Sequence, residues 1–84
     1  DRENLDQIKA RVSGYNNDIS PWRHAAREVV ALAAVRAEDW KLVGEEARKL
    51  TDDPTTPSDA RNRARILRDL AISEAGNADG GAAG

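Results

Sequence analysis

Apolar residues recur along most of the chain at intervals of three and four, the pattern of helices that bury one face. Leu5, Ile8 and Val12 make the first stripe, and Ser13-Gly14 ends it, Gly suiting the left-handed position after a helix. The spacing predicts a helix over 2–13. Tyr15 to Asp18 reads as a turn, and Ile19 is the apolar residue that staples the entry to the next helix. Ser20-Pro21 is a helix start, with Ser20 as N-cap and Pro21 in the first turn. Trp22, Ala25, Ala26, Val29, Val30, Ala33 and Ala37 then give one wide apolar face, predicting a helix over 21–37. Leu32 and Val35 lie off that face, beside Glu28. A helix that is apolar on more than one side packs against more than one neighbour, and its many alanines let helix axes come close.

The period breaks at Ala37-Glu38-Asp39 and resumes as Trp40, Val43, Ala47 and Leu50, a helix over 39–51. Glu38 and Asp39 open it and Arg48 and Lys49 close it, which suits the helix dipole. Gly44 sits mid-helix, where glycine costs about 1 kcal/mol against alanine, so it marks a close contact. A connection this short forces the two helices into an antiparallel hairpin. The segment TDDPTTP, residues 51–57, is punctuation. Thr56 as N-cap and Pro57 as first residue start a last helix over 57–74, striped by Ala60, Ala64, Leu67 and Ala71 and widened by Ile66 and Leu70. Residues 75–84 form a Gly/Ala-rich tail expected to be flexible. The fold expected is therefore all-α: one helical domain over 1–74, with a core of Trp22, Val29, Ala33, Val43, Ala47, Leu50, Ala64 and Leu67.

Composition narrows this further. At 84 residues, the chain is near the lower size at which one core suffices. With no Phe, Met or Cys, the core rests on Ala, Leu, Val and Ile with two Trp and one Tyr. The formal net charge of −2 argues against a general nucleic-acid binder, which is basic. Lack of Cys excludes disulfides and thiol chemistry. No apolar run approaches the roughly 20 residues of a membrane span. There is neither an initiator Met nor a signal sequence, so the chain reads as a segment of a longer or processed protein.

Candidate chemistry is sparse. His24 is the single histidine and falls on the polar side of its helix beside Arg27 and Glu28, where it reads as a surface residue without ligand partners. Arg61, Arg65 and Arg68 lie along one flank of the last helix, with Arg63 at the other edge of its apolar face. They are either a patch for phosphate or acidic partners or a solvated face part-neutralised by Asp59, Asp69 and Glu74. The pairs Glu45-Glu46 and Asp52-Asp53 are adjacent in sequence only, and neighbours on a helix point apart. Trp22 and Trp40 head apolar stripes and read as core. No phosphate loop or nucleophile elbow is present. Nothing in the residues indicates an enzyme, a cofactor or a metal.

The order of a helix, a short acidic turn with an aromatic (Glu38-Asp39-Trp40), a second helix and a Pro-containing turn resembles a tetratricopeptide repeat. Ala31 stands at the small residue of the first helix, Val43 at that of the second and Ala47 at the following aromatic, while Arg27 and Ala34 replace the usual Trp and Tyr. From Ser20 to Leu70, the motifs Pro21-Trp22-Arg23, Ala26-Arg27-Glu28, Ala33-Ala34, Glu38-Asp39-Trp40, Asp53-Pro54-Thr55-Thr56-Pro57 and Arg61-x-Arg63-Ala64 resemble the C-terminal part of alphaproteobacterial YfgM-like proteins, the ancillary Sec translocon subunits. The resemblance implies a non-enzymatic adaptor at the periplasmic side of the inner membrane, meeting the translocon or periplasmic chaperones. It would be held to the membrane only through an anchor this chain does not carry. As the closing part of a repeat array, the chain is expected to expose Leu32, Val35 and Leu42 as an apolar patch and to self-associate as a symmetric dimer. Arg61, Arg65 and Arg68 are the further partner-binding candidates. The alternative is a small helical nucleic-acid-binding domain that uses its Arg-rich last helix.

Overall fold

The computed structural model describes residues 2–83, with side chains described for residues 2–76. Four helices follow in order: α1 (Arg2–Val12), α2 (Arg23–Arg36), α3 (Trp40–Asp52) and α4 (Ser58–Ala83). No strand occurs among the described residues. The chain is all-α, as the periodicity predicts, and each helix lies where a stripe places it.

The hairpin of α2 and α3 is held at both ends. At its closed end Ala37 is still helical, and Glu38 takes φ 55°, the left-handed conformation that glycine usually supplies. The Glu38 N–H donates to Val35 C=O and the Asp39 N–H to Ala34 C=O, at 3.0 and 2.9 Å. These two bonds satisfy carbonyls left open at the end of α2. Asp39 then serves α3 as N-cap, its Oδ1 accepting from Leu42 N–H at 3.2 Å. Burial pushes the Asp39 carboxyl up, but the Leu42 N–H and the Arg2 guanidinium outweigh it and hold the carboxyl below its usual value. The ion pair of Arg2 with Asp39, at 2.9 Å, ties the start of α1 to this end, so α1 runs antiparallel to α2.

Small residues set the packing. Leu5, Ala33, Ala34, Val43 and Ala71 share one buried cluster, with Ile8, Val35, Ala37, Trp40, Leu42 and Leu67 packed around it. Ala47, Leu50 and Ala64 form a second, with Leu67 bridging the two. Gly44 faces α4, but a Cβ there would sit 3.8 Å from Ala71 Cβ, an ordinary contact distance, so the close contact expected at this glycine is not found. The molecule measures 44 × 28 × 16 Å. Helices with side chains are about 10 Å across, so a slab this thin leaves each helix an outer face.

Four expectations are corrected. Trp22 and Val29 are outside the core, at 65% and 43% exposure, because α3 takes the opposite side of α2. Thr56 is buried, but its Oγ1 has no hydrogen-bond partner and so does not cap α4. Ser20 does accept from Trp22 N–H, at 3.1 Å, yet it caps a turn, and α2 proper begins at Arg23. Finally, α4 passes its expected end at residue 74 and its backbone stays helical to Ala83. No proline interrupts that stretch, and glycine weakens a helix without removing a donor. The side chains of residues 77–84, and with them the expectation of a flexible tail, fall outside the described residues.

Candidate functional site

Two features stand out, a polar cluster at the open end of the hairpin and an apolar surface along α2. The polar cluster is built around Asp53, which follows the last turn of α3. Its Oδ2 accepts from Arg23 Nε at 2.7 Å and from Arg27 Nη1 at 3.2 Å. Its Oδ1 accepts from the Thr55 N–H at 2.9 Å and the Thr55 hydroxyl at 2.6 Å. The Arg23 and Thr55 donors hold this carboxyl far below the usual carboxylate range, against a smaller upward push from burial. Arg27 is almost wholly buried and bonds Asp18 Oδ1 at 2.9 Å with its other terminal nitrogen. A buried charge persists only when paired and hydrogen-bonded, and two carboxylates serve Arg27. Arg23 and Arg27, one turn apart on α2, thus clamp the end of α3.

His24 belongs to this cluster and is not the surface residue that the sequence suggests. Its Nε2 lies 3.2 Å from Thr55 Oγ1 and 3.3 Å from Asp53 Oδ2. The arrangement is not a nucleophile–base pair. The Thr55 hydroxyl spends its proton on Asp53, and one imidazole nitrogen faces both partners, whereas a catalytic base needs its second nitrogen held by the orienting carboxylate. Asp18, Arg23, Arg27, Glu45, Arg48, Lys49, Asp52 and Asp53 line an open groove here whose opposite charges balance. Among the described residues, no cluster of three or more His, Cys, Asp or Glu side chains is placed to hold a metal.

The arginines of α4 divide. Arg61 donates through Nη2 to the carbonyls of Asp53, Pro54 and Thr56, at 3.2, 3.1 and 3.3 Å, which fixes the 53–57 turn. Arg63 pairs with Glu28 on α2, and that carboxylate raises its affinity for the proton. Arg65 and Arg68 are exposed. Arg65 donates to Asn62 Oδ1 at 3.3 Å, so among the described residues the flank offers two exposed guanidiniums without an ion pair rather than a patch of three.

The apolar surface is made by Trp22, Ala25, Val29 and Leu32, spaced i, i+3, i+7 and i+10 along the outer side of α2. All four are exposed, Trp22 at 65% and Leu32 at 50%. The opposite side of the same helix buries Ala26, Arg27, Val30, Ala31, Ala33 and Ala34. Val12 and Tyr15 lie against the stripe and complete, with Trp22, Ala25, Ala26 and Val29, a groove of about 460 Å³. Of the apolar partner candidates, only Leu32 lies in this surface. Val35 and Leu42 are half-buried against the central cluster, because α1 and α4 cover those flanks of the hairpin. Sequence reasoning placed Trp22 and Val29 in the core. The available signal was that α2 carries two apolar stripes and can bury only one of them deeply.

No protein-family model, no curated protein and no solved structure matches the chain.

Proposed function

We propose that the chain is a non-enzymatic interaction module that docks another polypeptide on the outer face of α2. The supporting observation is the continuous exposed stripe of Trp22, Ala25, Val29 and Leu32. Exposed apolar residues scattered singly are ordinary on any protein, whereas a contiguous patch with an aromatic anchor is the feature of docking surfaces. An apolar stripe at helical spacing fits best the apolar face of another helix.

The location implied by the resemblance to YfgM-like proteins, the periplasmic side of the inner membrane near the translocon or chaperones, belongs to the same proposal. Protease accessibility of the protein in spheroplasts tests it independently.

Docking is tested by placing a photo-crosslinking amino acid at position 29 or 32 and, for comparison, at 65 or 68. Adducts with protein from 29 and 32 but not from 65 and 68 are expected. Equal yields at all four positions, or adducts only from 65 and 68, would contradict it, and RNA or DNA adducts at the latter pair would favour the nucleic-acid alternative.

A further inference from the structure

We infer that the occupant of the α2 face is a second copy of this chain, paired antiparallel about a two-fold axis; this deepens the docking reading above and rests on it. The stripe itself supplies the register. Trp22, Ala25, Val29 and Leu32 have steps of three, four and three, and this spacing reads the same in both directions. Turned end for end, Trp22 meets Leu32 of the second copy and Ala25 meets Val29 of the second copy. A large residue then faces a smaller one at every level, and the central Ala25 lets the axes approach closely. A surface complementary to itself under a two-fold rotation is what a symmetric dimer requires.

Charge supports the same orientation. Arg36 is exposed one turn beyond Leu32, and Asp59 is exposed at the other end, lining a surface groove with Trp22, Pro21 and Pro57. Neither forms an ion pair among the described residues; Arg63 in that groove is bonded to Glu28 and feels Asp59 only at longer range. Antiparallel pairing brings each Arg36 toward the Asp59 end of the other copy. Parallel pairing would bring like charges together at both ends. The four stripe residues of each copy are few against the roughly 20–30 residues a side of a standard interface. The dimer is accordingly weak and concentration-dependent.

The test is molar mass by static light scattering and by analytical ultracentrifugation over a wide concentration series, with helicity checked by circular dichroism. Wild-type chain should pass from one-chain to two-chain mass. Leu32→Glu should remain at one-chain mass, and Ile72→Glu, exposed on α4 rather than α2, should behave as wild type. Arg36→Glu and Asp59→Lys should each weaken association about three- to tenfold, and the double variant should recover it. A folded wild type that stays at one-chain mass at the highest concentration overturns the inference, as does loss of association in Ile72→Glu equal to that in Leu32→Glu. Failure of the double variant to recover what the single variants lose overturns the antiparallel pairing. The docking reading is judged separately. Protein crosslinks from position 32 to a different chain, in a protein that is monomeric, would leave docking standing and remove self-pairing, and a monomer without such crosslinks would remove both.

Discussion

The two sides of α2 differ in a way that composition alone would not suggest. The buried side is built of Ala26, Ala31, Ala33 and Ala34 with Val30 and the paired Arg27, while the exposed side carries Trp22, Val29 and Leu32. The larger hydrophobes face outward. Close packing explains this. A three-residue turn holds α3 tight against α2. The alanines of that side leave room for bulk supplied from opposite elements by Leu5, Val43 and Leu50, all fully buried. A helix can therefore place its better hydrophobes on the surface when close approach matters more to the fold than the area each residue buries.

Two leucines put that contrast most sharply. Leu50 is 1% exposed, and Leu50→Ala should cost about 2–5 kcal/mol, enough to unfold much of a domain this small. Chemical denaturation measures it, and an unchanged midpoint would mean that the buried side is misassigned. The polar end of the same buried side should be nearly as sensitive. Asp53→Asn leaves the buried Arg27 with Asp18 as its one carboxylate partner and should lower the melting temperature markedly at neutral pH. The pH dependence follows from the sign of the shift. A carboxyl held below its unfolded value of about 3.9 contributes stability above that value and loses it as pH falls through the lower folded value. The gap between wild type and Asp53→Asn should thus persist at neutral pH, narrow as pH falls below the ordinary carboxylate range, and close only well beneath it. A gap already closed at mildly acidic pH would contradict the clamp.

Overpacking tests the spacing itself. Ala34 is fully buried, and Ala34→Leu should destabilise by about 1–3 kcal/mol, read as a lower melting temperature. Ala25→Leu on the outer side should leave it almost unchanged, and equal losses at the two positions would erase the distinction between the faces. The smallest effect belongs to Leu32→Glu. A surface substitution of this kind changes stability by no more than about 0.5 kcal/mol, measured where the chain is one-chain in mass, although the same change should abolish association. A large loss of stability there would show that Leu32 contributes to the fold.

The sequence made the helices legible because their stripes and punctuation are strong. It also revealed the antiparallel hairpin, through a connection too short for any other arrangement, whereas the close contact inferred from the cost of Gly44 inside a helix is not found. What stayed hidden depended on which neighbour each face meets. Spacing showed two apolar stripes on α2 but carried no information on which one α3 would cover, so Trp22 and Val29 read as core. The burial of Arg27, placed by spacing on the polar side of its helix, was not legible because Asp53 lies 26 residues away and forms its bond only after the hairpin closes. His24 was misread for the same reason, through Thr55, 31 residues on. Val35 and Leu42, off the main stripes, read as a free patch until α1 and α4 were seen to cover them.

The most direct test of an exposed apolar face on α2 is the emission of Trp22 alone, in a Trp40→Phe variant, recorded as a function of chain concentration. Trp22 should emit as water-exposed indole in dilute solution and shift to shorter wavelength as concentration rises, in step with the increase in molar mass. Emission of buried indole at the lowest concentration, or an unchanged spectrum while the mass doubles, would contradict the account.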